Sequence, residues 1–308
     1  MTVVTAPVSP ADESTVQKSS GLADAPRKIR RSPAWRIGVT AALAVAMIYF
    51  LFPVYWLAIA ATKSTSDLFG SSGLVLNNPQ LLSNLAKVVT YDGGIFGRWA
   101  LNSVLYSGIG ALVATVCSLA AGYCLAKFDF RGREAVFNII LAGVMIPGTA
   151  LALPLFLLMS QVGLVNTYWS VLLPSLVSPF GVYLGRIYAK AAVPDSLLEA
   201  ARLDGVGEFR IFLTLGFRLM MPAAVTVFLF QFIGIWNNFF LPLVMLSDQR
   251  LYPITLGLTQ WQSISDRHPE LYQLAVGGAF LSVIPIMIAI VSLQRFWKAG
   301  LTEGSVKG

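Results

Sequence analysis

SLLEAARLDGVGEFRIFLTLGFRLMMP, residues 196–222, places six charged side chains in 27 positions of a chain that is only 12% charged overall. Long apolar runs flank it on both sides. Ser196 and Glu199 stand at the spacing of a capping box, in which each side chain satisfies an orphan amide at a helix start. Leu197, Leu198 and Ala201 share one side of that helix, Glu199 and Arg202 pair at i,i+3, and Asp204-Gly205 marks a turn. A second short helix follows, with Phe209, Phe212 and Leu213 on one side and Glu208 and Arg210 on the other. The stretch therefore predicts a helix, a turn and a helix, too short and too charged to cross a bilayer. Such a surface lies on a membrane or docks into a groove of another protein, and periodicity does not choose between the two.

Outward from this stretch the chain turns apolar. Its 56% hydrophobic content and mean hydropathy of +0.70 lie outside the range of soluble domains. Six runs reach the roughly 20 residues that a helical crossing needs: 37–61, 103–125, 135–159, 168–189, 219–246 and 271–293. Each backbone in hydrocarbon must satisfy its own hydrogen bonds. The predicted fold is thus an all-α polytopic membrane protein, six transmembrane helices with the charged helix between the fourth and fifth. Residues 1–33 read as a disordered cytoplasmic tail, 34–300 as the transmembrane domain with a connecting loop at 190–218, and 301–308 as a second tail. With the N-terminus inside, 17 of the 22 basic residues fall on one side, leaving Lys63, Lys87, Arg98, Arg250 and Arg267 on the other. That bias puts both termini and residues 196–222 in the cytoplasm of a multi-pass protein surrounded by membrane lipids. The net charge of +7 is spread over loops rather than gathered on one face, which argues against a nucleic-acid partner.

Smaller signals refine the spans. Pro53 predicts a kink in the first. The outer loop after Lys63, with an amphipathic part at Leu81–Val89, either meets an external partner or caps its own helices. The short turn at 126–133 makes spans two and three antiparallel neighbours. Met145-Ile146-Pro147-Gly148, with Pro154 beyond it, predicts a broken third span, which is tolerated where it lines a cavity or is covered by protein. Gly181 and Gly185 have the GxxxG spacing of close helix contact. Cys117 and Cys124 rise about 10.5 Å along one helix, too far for a disulfide, and read as small apolar residues facing one neighbour. His268, the single histidine, sits in an outer loop and makes no metal cluster.

At Glu199-Ala200-Ala201, three residues, then Gly205, the chain closely resembles the EAA loop of bacterial ABC importer permeases. The family pattern continues after nine residues with I-x-L-P, where this chain has Leu215, Phe217 and Arg218. Pro222 falls where sugar-type members often carry another proline. Further pieces are similar to the carbohydrate-uptake branch: Asn102-Ser103, Ala126-Lys127-Phe128 with Arg131-Gly132-Arg133, Met145 to Gly148, Gly163 to Tyr168, and Trp236 to Leu243. Asn238 stands where that branch usually has an acidic residue. The resemblance covers about residues 35 to 300.

The resemblance implies a permease subunit of the bacterial plasma membrane, paired with a second permease subunit, two ATPase subunits and an external solute-binding protein. It implies that Glu199, Ala200, Ala201, Asp204 and Gly205 form a coupling helix seated in a groove of the ATPase. Small alanines permit close approach, Gly205 permits a sharp turn, and the acidic pair meets basic groups. Nothing matches G-x-x-x-x-G-K-[ST], so no cofactor is predicted on this chain, and ATP and Mg belong to the ATPase. Candidate path residues are Gln231, Trp236, Asn237 and Asn238 on span five with the Pro147-Gly148 break. Amides and an indole suit a neutral sugar or polyol; packing between helices is the competing role for each. A glycerol-phosphate or other small polar solute is the alternative cargo. An ion-coupled carrier normally needs an ionisable group at membrane depth, and the six runs hold none near their centres.

Overall fold

A computed structural model describes residues 33–76 and 78–303, with side chains through residue 294. The N-terminal tail other than Pro33, and residues 304–308 of the C-terminal tail, lie outside the described residues; 301–303 continue the last helix. Among the described residues there is no strand. The helices run α1 Pro33–Thr62, α2 Thr65–Gly70, α3 Leu81–Thr90, α4 Ile95–Lys127, α5 Arg133–Val144, α6 Gly148–Gln161, α7 Tyr168–Ser175 and α8 Pro179–Ala192. They continue with α9 Asp195–Leu203, α10 Glu208–Ile211, α11 Phe217–Leu219, α12 Met221–Trp236, α13 Phe240–Met245, α14 Ile254–Ser263 and α15 Pro269–Glu303.

The chain divides into two compact units at Phe52 and Pro53. In the first, α1 shows exposed apolar side chains such as Ile37, Leu43, Val45 and Phe50, as expected of a helix that faces lipid. Among the described residues, four stretches are long and apolar enough to cross a bilayer: Pro33–Thr62, Leu81–Lys127, Tyr168–Ala192 and Pro269–Gln294. Two bent pairs bring the number to as many as six. One is α5 with α6, bent by 104° at residues 145–147, so the third span is broken at the predicted place. Pro147 has an extended backbone, and its missing N–H costs nothing at the start of α6. The other is Glu208–Leu219 with α12, bent by 78°. The fifth span is shorter than its apolar run, because α12 stops at Trp236 and α13 restarts at Phe240.

The second unit is built on α4, which packs most extensively against α8 and α12. Hydrocarbon removes most of the hydrophobic drive between helices, so close backbone approach has to supply the contact. A Cβ on Gly122 would stand 2.5 Å from the Arg186 amide nitrogen and 2.6 Å from the Gly185 carbonyl carbon; one on Gly185 would stand 3.0 Å from the Ser118 carbonyl oxygen. The GxxxG pair of α8 therefore meets Ser118 and Gly122 of α4, and the Ser118 hydroxyl adds a 3.3 Å bond to the Ser178 carbonyl.

Several expectations change in this unit. α5 packs on α8 rather than chiefly on α4. Phe137 stacks on Tyr183 at 6.3 Å, and Arg186, 4% exposed, lies over Phe137 and bonds Glu134. Cys117 and Cys124 are free and exposed rather than turned to a neighbouring helix, since the buried side of α4 is taken by Ser118, Gly122 and Tyr123. The outer loop is a packed cap. Lys63, 1% exposed, donates to the Ser71 hydroxyl at 2.8 Å and the Ser72 carbonyl at 2.5 Å, while the Asn84 amide bonds the carbonyls of Ala61 and Lys63.

Candidate functional site

Residues 195–219 pack as one element at one end of α4, α8 and α12. α9 begins two residues earlier than the capping-box spacing predicts, with Pro194 as its N-cap and no side-chain cap bond. Ser196 is thus inside the first turn and the Ser196–Glu199 box does not form. Pro194 has no amide to satisfy and its φ of −68° leads directly into the helix, while Asp195 faces the positive helix start. Lys127, its side chain 5% exposed, donates to Asp195 at 2.7 Å and to the Val193 carbonyl at 2.6 Å, fastening α9 to the end of α4.

The predicted turn is present. Gly205 has φ +76°, its amide bonds the Arg202 carbonyl at 3.0 Å, and the Val206 amide bonds the Ala201 carbonyl at 3.0 Å. These two bonds are the Schellman closure of a helix. No atom lies within 4 Å of a Cβ placed on Gly205, so backbone conformation rather than space selects glycine there. Arg202 pairs with Glu208 across the turn, Nε to Oε1 at 2.6 Å and Nη2 to Oε2 at 3.3 Å, instead of with Glu199. The turn folds Glu208 back onto Arg202, giving a two-pronged contact that an i,i+3 pair cannot match. This bond raises the Arg202 pKa above its ordinary value.

Inward, Leu198 is 1% exposed and joins Tyr123, Val193, Ile211, Phe212, Met220 and Ala223 in one core, against which Ala201, Val206, Leu215 and Phe217 also pack. Outward, Glu199, Ala200, Asp204 and Gly205 are exposed, flanked by Leu203 and Phe209 at 89% and 76% exposure. Of the five residues assigned to coupling, four share this outer face and Ala201 turns partly inward. Between α10 and α11 the chain makes a π-helical turn, Phe212–Gly216, and a fully buried Met220 occupies the 78° bend into α12. Phe217 adds its ring to this packing, 6.2 Å from that of Phe212, and Arg218 is exposed. The departure from I-x-L-P therefore leaves an apolar joint intact.

A second feature opens beside the break in the third span. A cleft of about 430 Å³ is lined by Gly148, Thr149, Ser175, Gln231, Gly234 and Asn238 together with apolar side chains of α6, α12 and α13, and no lining residue is charged. The structure brings Gly148, Gln231 and Asn238 together here. It does not bring the other three candidates to the lining. Pro147 is exposed at the break, and Asn237 is exposed with its amide on the Ile233 carbonyl at 3.0 Å. Trp236 is 2% exposed and stacks on Phe232 at 5.7 Å within an aromatic core that includes Trp99 and Trp261. Thr149, Ser175 and Gly234 were not singled out from sequence, because a small residue in an apolar run carries no periodic signal.

At the other end of the bundle, several recognised motifs turn out to hold one loop. The Asn102 amide donates to the carbonyls of Arg250 at 2.9 Å and Tyr252 at 3.0 Å, and its oxygen accepts from Tyr168 at 3.1 Å. Ser103 accepts from the Ile254 amide at 2.7 Å. Trp99 and Tyr106 bond the carbonyls of Gln249 and Leu251, and the Asn166 oxygen accepts from the amides of Ser247 and Asp248, both at 2.9 Å. Arg250 bonds Asp248 and holds its carboxyl below the ordinary pKa.

Apolar helices with one broken beside an uncharged cleft, and an amphipathic element packed on one end of the bundle with an exposed outer face, fit a membrane permease subunit. The chain belongs to the family of binding-protein-dependent transport system inner membrane components, whose family model matches residues 94–301. It is 33% identical over 283 residues, 91% of this chain and 100% of the relative, to the arabinooligosaccharides transport system permease protein AraQ of Halalkalibacterium halodurans. It is 31% identical over 265 residues, 86% of this chain and 94% of the relative, to the lactose transport system permease protein LacG of Rhizobium radiobacter. The fold is also that of a chain in the crystal structure of a bacterial ABC transporter involved in the import of the acidic polysaccharide alginate. That match has a TM-score of 0.75 at 22% identity and covers 87% of this chain and 99% of the other.

Proposed function

We propose that this chain is one of two permease subunits of a bacterial ATP-binding-cassette importer for a neutral oligosaccharide. An external solute-binding protein delivers the sugar, and two separate ATPase subunits consume ATP and Mg. The end carrying α9 faces the cytoplasm with both termini. The observation that carries this reading is the exposed face of Glu199, Ala200, Asp204 and Gly205 on an element anchored at both ends and along its inner side. Lys127 fastens its start, Arg202–Glu208 closes its turn, and Leu198 and Met220 root it in the core shared by α4, α8 and α12. A push on such an element moves the helices as bodies. Relatives named for arabinooligosaccharide and lactose transport support the sugar. An anionic cargo such as a glycerol phosphate finds no cation in the cleft.

Gly205→Asp tests the coupling role. A Cβ in the left-handed region and a second carboxylate beside Asp204 alter the outer face without entering the core. The variant is expected to insert and to assemble with its partners, and to lose uptake while ATP hydrolysis persists. Uptake at the wild-type rate would refute the coupling role.

A further inference from the structure

The outer cap keeps an apolar surface turned away from its own core. From Leu68 to Ala86 the chain carries no charged residue, and Phe69, Leu74, Val75 and Leu76 are between 45% and 70% exposed. Other loops at this end are charged: 247–250 holds Asp248 and Arg250, and 266–270 holds Asp266, Arg267 and Glu270. A run of exposed apolar side chains without a charge among them marks a contact surface rather than a water-facing loop.

The surface is held in one place. The buried Lys63 ammonium donates to the Ser71 hydroxyl and the Ser72 carbonyl, and the Ser71 hydroxyl donates on to the Asp67 carbonyl at 2.7 Å. The Tyr55 hydroxyl donates to the Leu74 carbonyl at 2.8 Å, and a Cβ built on Gly73 would stand 3.0 Å from the Trp56 Nε1. The loop therefore lies along Tyr55 and Trp56 of α1, about two turns before that helix ends at Thr62. Tyr and Trp collect where a membrane meets water. Val54, Tyr55 and Trp56 are themselves exposed, so the loop continues the lipid-facing side of the end of α1. Its irregular backbone does not suit hydrocarbon, which leaves the side chains to enter at the level of the aromatic pair.

We infer that residues 69–76 rest on the lipid surface, with Phe69, Leu74, Val75 and Leu76 inserted about 5–10 Å into the boundary between headgroups and acyl chains. The cap is then an interfacial anchor in the leaflet opposite the α9 end, whatever solute the protein carries. The test uses the full-length chain with its co-purifying subunits in vesicles of phosphatidylcholine and phosphatidylglycerol. Cys117 and Cys124 are replaced, and a nitroxide is attached at Val75→Cys or, in a second variant, at Leu76→Cys. Asp266→Cys supplies the water reference and Val45→Cys the lipid reference. Collisions with oxygen, which concentrates among acyl chains, are compared with collisions with a nickel chelate confined to water. At positions 75 and 76 the oxygen-to-nickel ratio is expected to lie several-fold above that at 266 and below that at 45, and to stay unchanged with saturating external binding protein. A ratio equal to that at 266 overturns the anchor, because the loop then stands in water. Low collision rates with both reagents, or a fall in both when the binding protein is added, also overturn it, because protein then covers the patch.

Discussion

Gly122→Ala adds one methyl group where α4 crosses α8, and the structure leaves no room for it. The new Cβ would lie 2.5, 2.6 and 2.8 Å from the Arg186 nitrogen and the Gly185 carbonyl and α carbons. All three are backbone atoms, so no rotamer change relieves them, and the helices must part by about 1 Å to reach ordinary contact. Overpacking of this kind costs about 1–3 kcal/mol, and backbone contacts put this site at the upper end. The better helix propensity of alanine returns about 1 kcal/mol, leaving a net loss of about 2 kcal/mol. For a chain of 308 residues that corresponds to a Tm lowered by about 3 °C. The assay is thermal unfolding of the detergent-solubilised protein beside Gly108→Ala, a glycine of the same helix whose Cβ would meet nothing within 4 Å. Gly108→Ala is expected to match or exceed the wild-type Tm. Equal Tm values for the two variants would show that the α4–α8 crossing is not backbone-limited.

Three further outcomes follow from the same geometry. Asn102→Leu removes both donors to the Arg250 and Tyr252 carbonyls; it should cost about 2–3 kcal/mol and speed protease cleavage within residues 247–254. Tyr123→Phe removes a buried hydroxyl that has no partner and should raise stability by about 1 kcal/mol, read as a higher Tm; a fall would mean the hydroxyl is bonded. Because Arg250 depresses the Asp248 pKa, their contact contributes above the ordinary carboxylate range and is lost as pH falls through the lowered value. Protection of the amides in residues 247–252 against exchange, taken relative to the intrinsic rate at each pH, should therefore fall only at acid pH, and Asp248→Asn should remove that step.

The sequence was most informative where one residue type has one physical use. Pro147 cannot continue a helix, Gly181 and Gly185 can admit a second helix at close range, and Gly205 can take a positive φ; all four positions behave accordingly. It was least informative where the outcome depends on a distant partner. Arg202 chose Glu208 over Glu199 because the turn brought Glu208 back, which spacing does not encode. Trp236 was absorbed by an aromatic core assembled from α4, α12 and α14. Lys63 is buried only because residues 71–72 fold over it. In the candidate cleft, Gln231 and Asn238 were readable as amides within an apolar run, whereas Gly234 carries no such signal.

Whether the face of α9 meets an ATPase or a lipid surface can be decided by one cross-linking measurement. Cys117 and Cys124 are exposed, so both are replaced first, and single cysteines are then placed by Ala200→Cys and Leu198→Cys. In the assembled importer a short bifunctional reagent should join exposed position 200 to the ATPase subunit, with ATP changing the yield, and should leave buried position 198 unlinked. Reaction of position 200 with a lipid-phase probe, with no ATPase adduct although the ATPase co-purifies, would contradict the coupling surface.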